Sequence, residues 1–218
     1  MKISISSTRE EKIAIGTKFI ELLNKNYIEF AGITGSVSYI PDPYDDIDIF
    51  IIAKTGMAWK SILDAILKRR IYKLNDICIS LVMDADFAFS YFEKLTDRLI
   101  IRDALKTIPV YGQTFYHDII LNCPAIASIL GLNGSTNNFY RGGKRNATAI
   151  LAFLLLSPLI LAKSIYNNFK GMKAGEGFDI HISFNSFYLD SYKYRILREK
   201  FMREEAENGK IFHSDSHI

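Results

Sequence analysis

The chain has 218 residues, with 27 lysines and arginines against 24 aspartates and glutamates, a formal charge of +3. Hydrophobic residues make up 49% and charged residues 23%, which excludes a disordered chain and suffices for one large domain or two modest ones. Two cysteines, Cys78 and Cys123, exclude a disulfide framework and a four-cysteine zinc site, and the first residues hold no apolar leader core, so a cytoplasmic protein is the expectation.

Ser7, Thr8, Arg9 and Glu10 form a capping-box pattern. Ile13, Gly16, Phe19, Ile20 and Leu23 then recur at helical spacing, predicting a helix over 8–25. Residues 27–33 read as a strand, followed by Gly35, Ser36 and a segment broken by Pro41 and Pro43. A second strand runs over 46–52 and a helix over 57–70. Residues 76–83 are a third strand, with Ile77, Ile79, Leu81 and Met83 on one apolar face and Asp76, Cys78, Ser80 and Val82 on the other. Residues 86–106 are helical in two pieces, and Pro109 to Gly112 is a short strand ending in a turn.

Beyond Gly112 the pattern is helical. It predicts helix over 114–132 with a break near Pro124, helix over 139–169 with a kink or break at Pro158, a loop over 171–183 and a helix over 186–207. Residues 146–162 carry no charge. The run is short for a span and contains Asn146, Thr148, Ser157 and Pro158, so a buried core helix is expected and no membrane. The fold class is therefore α+β: an α/β domain with a small mixed sheet over 1–112, an all-helical domain over 113–207 and a polar tail over 208–218.

Charge is uneven. Residues 1–112 are neutral, with 15 basic and 15 acidic side chains. Between Asp118 and Glu176 no acid occurs, while Arg141, Lys144, Arg145, Lys163, Lys170 and Lys173 do. Cations without counter-charge fit a phosphate-bearing partner or a solvated helix surface. Arg141 to Arg145, with two glycines between, precedes an apolar helix and could bind a triphosphate or a nucleic-acid backbone, or form only a basic turn.

The stretch that carries chemistry is Gly35 and Ser36 at a strand end, then Asp46 and Asp48 ten residues later at the start of the next strand. Residues two apart on a strand share a face, so the two carboxylates project together. Such a pair repels itself unless a cation intervenes, and oxygen ligands of this kind suit Mg²⁺ with substrate phosphates. A Gly-Ser turn can aim backbone amides at an anion.

Gly35, Ser36, Asp46, Ile47 and Asp48, at this spacing, resemble the signature of the DNA polymerase beta-type nucleotidyltransferases, above all the small minimal members. The likeness covers about residues 10–112. It implies transfer of a nucleoside monophosphate from a nucleoside triphosphate to an acceptor hydroxyl, with release of pyrophosphate and with two Mg²⁺ ions, Mn²⁺ being an alternative. It also implies that Asp46 and Asp48 hold the metals, that Gly35 and Ser36 bind the β- and γ-phosphates, and that a third acid comes from the neighbouring strand. Asp76 is chosen because its face is the more polar one, with Asp84 and Asp86 as rivals that suit a strand end or a helix cap. No basic residue occurs between Val37 and Tyr44, where family members often have an arginine, so Arg141, Lys144 and Arg145 are expected to supply the phosphate-binding cations. The acceptor is left open between nucleic acid, protein and small molecule. The alternative is a non-catalytic nucleotide- or RNA-binding regulatory module, antitoxin-like, on the same fold. His213, Asp215 and His217 read as a polar tail, and Cys78 and Cys123 as small packing residues.

Overall fold

The computed structural model describes residues 8–38, 45–132, 147–171, 178–191 and 203. In chain order the elements are α1 (Arg9–Leu22), β1 (Ile28–Thr34), a 3₁₀ turn (Ser36–Ser38), β2 (Ile47–Ala53), α2 (Ala58–Ile71), β3 (Ile77–Asp84) and α3 (Ala85–Glu93). They continue with α4 (Arg98–Lys106), β4 (Ile108–Tyr111), α5 (Gln113–Leu121), α6 (Pro124–Ile129), α7 (Ala147–Gly171), β5 (Phe178–Ile182) and β6 (Ser186–Ser191). The fold is α+β, as its sequence predicts. One six-stranded sheet has the order β4-β1-β2-β3-β6-β5. Among the described residues only β2 and β3 pair in parallel, joined by the crossover helix α2.

The sheet is covered on both sides, which is why its central strand, β2, is apolar on both faces beyond its first residues. Ile47, Ile49 and Ile51 pack with Phe19 and Ile20 of α1, Trp59 and Ile62 of α2 and Ala152 of α7. Phe50 and Ile52 pack on the opposite side with Ala88 and Phe92 of α3, Ile101 of α4, Tyr116 of α5 and Ile126 of α6. By the same alternation Asp46 and Asp48 belong to the side of Phe50, at the strand start. Gly112 takes φ +69° where the chain leaves β4 for α5, and a Cβ there would overlap the carbonyl of Glu29. Only glycine fits that turn.

Several expected elements differ. The capping box closes one residue later, between Thr8 and Glu11, which sets the phase of Arg9 and Lys12. On β3 the single face expected for Ile77, Ile79, Leu81 and Met83 is broken. An irregularity opposite Ile49 and Phe50 skips Ser80 in the pairing, so Ile77, Ile79 and Val82 join one core and Met83 the other. The loop expected over 171–183 contains β5, and the helix expected from Ser186 opens as β6. β6 pairs antiparallel with β3, and Trp59 donates from Nε1 to the carbonyl of Ser183 at 2.9 Å, tying the hairpin turn to the core. Aromatic and β-branched residues such as Phe187 and Ile180 favour strand once a sheet edge is there to pair with.

α7 runs unbroken through Pro158. Phe153, Leu156 and Ile160, before and after that proline, pack against the core and hold the helix across the missing hydrogen bond. The helix is not the buried core helix expected. Ala149, Ala152 and Ser164 are buried, but only 17% of its most apolar window, within Ala147–Tyr166, is inside the protein. By length and composition this helix is long and apolar enough to cross a membrane.

Candidate active site

The site lies where β1 ends and β2 begins. β1 and β2 are antiparallel with Thr34 opposite Asp48, so the turn after Thr34 folds over the Asp48 carboxylate. Gly35 takes φ +70°, and a Cβ there would collide with Oδ2 and Cγ of Asp48. Any side chain at position 35 would be both strained and excluded by that carboxylate. Ser36 then opens the 3₁₀ turn, which Ser38 closes by donating from its backbone N–H and from its hydroxyl to the carbonyl of Gly35, at 3.1 and 2.7 Å.

The first turn of α1 clamps this region from outside. Arg9 donates from Nε to the carbonyl of Val37 at 3.1 Å and from a terminal nitrogen to that of Ser38 at 3.0 Å. Lys12, buried, donates from Nζ to the carbonyl of Asp45 at 2.6 Å. Residues three apart on a helix share a face, so one helical turn grips the chain just after the Gly-Ser turn and just before the acidic pair. These two cations were not foreseen. Their signal in the sequence is their spacing on the helix before β1, and it acquires meaning only with the turn beside them.

Asp48 is half-buried and Asp46 exposed. Burial in the first place, then Asp46 and Asp45, push the Asp48 carboxyl up to about 7, while a hydrogen bond from the Cys78 thiol pulls the other way. Cys78 sits on β3 directly opposite Asp48. Burial, and then Asp48, hold its thiol well above the ordinary range. Cys78 is therefore a polar neighbour of the acidic pair and not the inert packing residue expected. Cys123, fully buried, is such a residue.

Asp76 immediately precedes β3, and its carbonyl accepts from the N–H of Ile47 at 2.7 Å. The pairing of Ile47 with Ile77 therefore sets Asp76 level with Asp46 on the neighbouring strand. The rival acid is elsewhere. Asp84 ends β3, opposite Ala53, roughly 20 Å along the strand from Cys78. It is buried and accepts from the N–H groups of Met57 and Ala58 at 3.1 and 2.8 Å, at the start of α2. Burial raises its carboxyl to about 6 against the pull of those N–H bonds. Among the described residues no three of histidine, cysteine, aspartate and glutamate converge closely enough to hold a metal ion. Arg141, Lys144 and Arg145 lie outside the described residues, as do His213, Asp215 and His217.

Three acids, Asp45, Asp46 and Asp48, crowd one strand start, and a thiol is the side-chain donor to the most buried of them. That donor set is oxygen-rich. Comparison with protein-family models, curated proteins and solved structures returns no significant match to this chain.

Proposed function

We propose that this protein is a cytoplasmic, metal-dependent nucleotidyltransferase that moves a nucleoside monophosphate from a nucleoside triphosphate to an acceptor hydroxyl. The observation that carries the reading is the stacking of Gly35 on the Asp48 carboxylate. It joins the two halves of the motif, a turn suited to phosphate and a carboxylate suited to metal, in one place.

In this reading Asp46, Asp48 and Asp76 would hold two Mg²⁺ ions, or Mn²⁺, and Gly35 and Ser36 would take the β- and γ-phosphates. When bound, the metals neutralise charge on the transferring phosphoryl group and on the leaving pyrophosphate. The acceptor oxygen forms its bond to the α-phosphorus as the bond from that phosphorus to the β-phosphate oxygen breaks, and the acceptor proton passes to a carboxylate, for which Asp76 is the candidate. Arg9 and Lys12 act as positioning residues, because their bonds to Val37, Ser38 and Asp45 set the distance between the phosphate turn and the acids. Arg141, Lys144 and Arg145 are assigned the remaining phosphate charge.

The test is incubation with each labelled nucleoside triphosphate and Mg²⁺ or Mn²⁺, reading pyrophosphate release and label transfer. Release abolished by Asp48→Asn supports the reading. A second reading, a regulatory module that binds nucleotide or RNA without turnover, draws on the absence of a converged triad among the described residues. Saturable nucleotide binding unaffected by chelator, with no pyrophosphate formed, would decide for it.

A further inference from the structure

The sheet has two outer strands, β4 and β5, and the chain treats them differently. β4 holds Pro109, which has no N–H to offer, and the Lys25 amino group stands 4.8 Å from the ring centre of Tyr111 at its end. Proline and lysine are common means of keeping a sheet edge from pairing. β5 reads Phe178, Asp179, Ile180, His181, Ile182, with neither. Among the described residues no strand pairs with its outer side.

The hairpin fixes the hydrogen-bond phase of that edge. The N–H of Ser183 donates to the carbonyl of Ser186 at 2.8 Å. The ladder continues with Ile182 opposite Phe187, His181 opposite Tyr188 and Asp179 opposite Asp190. Bonded and non-bonded pairs alternate along an antiparallel ladder, so Asp179 and His181 turn their backbone N–H and C=O groups toward β6. Phe178, Ile180 and Ile182 turn theirs outward. A second copy of β5, laid antiparallel, meets all three outward residues in one register, centred on Ile180. Ile180 then faces its own copy, and Phe178 faces Ile182 of the second copy.

Charge favours that register. It sets Asp179 opposite His181 of the second copy, and symmetry repeats the pairing. These are non-bonded positions, where opposed Cα atoms approach to about 4.5 Å and residues interact most closely. On its other side Asp179 faces Asp190, a like-charge pairing that sheets disfavour, so the second copy brings an imidazole to an acidic row. His181 is exposed, and its ring stacks on Tyr188 with centroids 4.1 Å apart.

We propose that the protein forms a two-fold dimer through β5, joining two six-stranded sheets into one. The paired strands are short, so the dimer is weak and reversible. This goes beyond the nucleotidyltransferase reading and holds whether or not the acidic site turns over nucleotide.

The experiment is sedimentation velocity of the full chain over a concentration series, with amide exchange followed by NMR. A reversible monomer–dimer equilibrium is expected. As dimer accumulates, the N–H groups of Ile180 and Ile182 should exchange more slowly, while that of His181, already bonded to β6, should not change. His181→Asp sets acid against acid twice in the dimer and should weaken it by about 10-fold. Asp179→His combined with His181→Asp exchanges the two groups and should restore it. Position 181 is exposed, so circular dichroism and thermal midpoint should match the parent. If His181→Asp fails to fold, Asp179→Lys takes its place, with the exchange variant as rescue. Three results would overturn the proposal: a monomer at every concentration, a dimer indifferent to the single variants, or a loss that the exchange does not restore.

Discussion

The parallel pair β2–β3 carries carboxylates at both ends, and the two ends treat them differently. Asp84, at the far end, is buried but answered by two backbone N–H groups at the start of α2. It is a capping acid, and its negative charge suits the helix N-terminus. Asp48, at the near end, has Asp46 and Asp45 as neighbours and a weak thiol donor from Cys78. The same residue type thus caps a helix where backbone donors converge on it, and holds its proton more tightly where burial and like charges surround it.

The comparison is broken most directly by exchanging charge for amide at each end. Asp48→Asn should reduce turnover by at least about 10²–10³-fold, the range seen when one stabilising group is removed from a reacting site. Asp84→Asn should leave turnover within a factor of a few. Pyrophosphate release measured on both variants checks this, and equal losses would erase the distinction.

Arg9→Ala should lower the apparent nucleotide affinity by about 10-fold, the scale for residues that hold a ligand group in place from behind. The expected readout is a raised KM for the triphosphate at nearly constant kcat. A fall in thermal midpoint with unchanged kinetics would make Arg9 a purely structural residue.

Asp84→Ala leaves the N–H groups of Met57 and Ala58 without their acceptor, and should cost about 1–3 kcal/mol in urea unfolding. Asp84→Asn keeps an acceptor and should cost less than half as much.

The pH dependence of metal-free stability sharpens both ends together. The carboxyls of Asp48 and Asp84 are raised, to about 7 and about 6, from 3.8, so the folded state binds their protons more tightly than the unfolded chain does. Their stabilising contribution is fully present below about pH 3.8 and is lost as pH rises through 6 and 7. The urea midpoint should therefore rise between pH 8 and pH 5, by an equivalent of about 1–3 kcal/mol. The double variant Asp48→Asn, Asp84→Asn should flatten that slope, and Mg²⁺ should stabilise the parent at pH 8 but not the Asp48→Asn protein.

Local patterns were legible wherever they were repeated or chemically unusual. Alternation placed Asp46 and Asp48 on one face, and helical spacing placed α1 through α6 close to their actual bounds. The Gly-Ser turn and the acidic pair were legible as residue types at two strand boundaries, and the antiparallel pairing of Thr34 with Asp48 brings Gly35 onto the Asp48 carboxylate. Pairing was not legible. That Cys78 rather than a carboxylate stands opposite Asp48, and that Ser80 drops out of the ladder, depend on a register set by two strands at once. Nor was the fate of residues 178–191, whose strand form needs the open edge of β3 to pair with.

By itself, then, the sequence determined the elements whose periodicity suffices to bury an apolar face, and the residue types gathered at the start of β2. Tertiary structure decided which acid became a cap and which stayed crowded, because that depends on where backbone N–H groups from α2 arrive. It also decided that α7 turns half its apolar surface outward. Composition reports how apolar a helix is, whereas burial depends on how many neighbours reach it, and among the described residues the core meets α7 along one stripe.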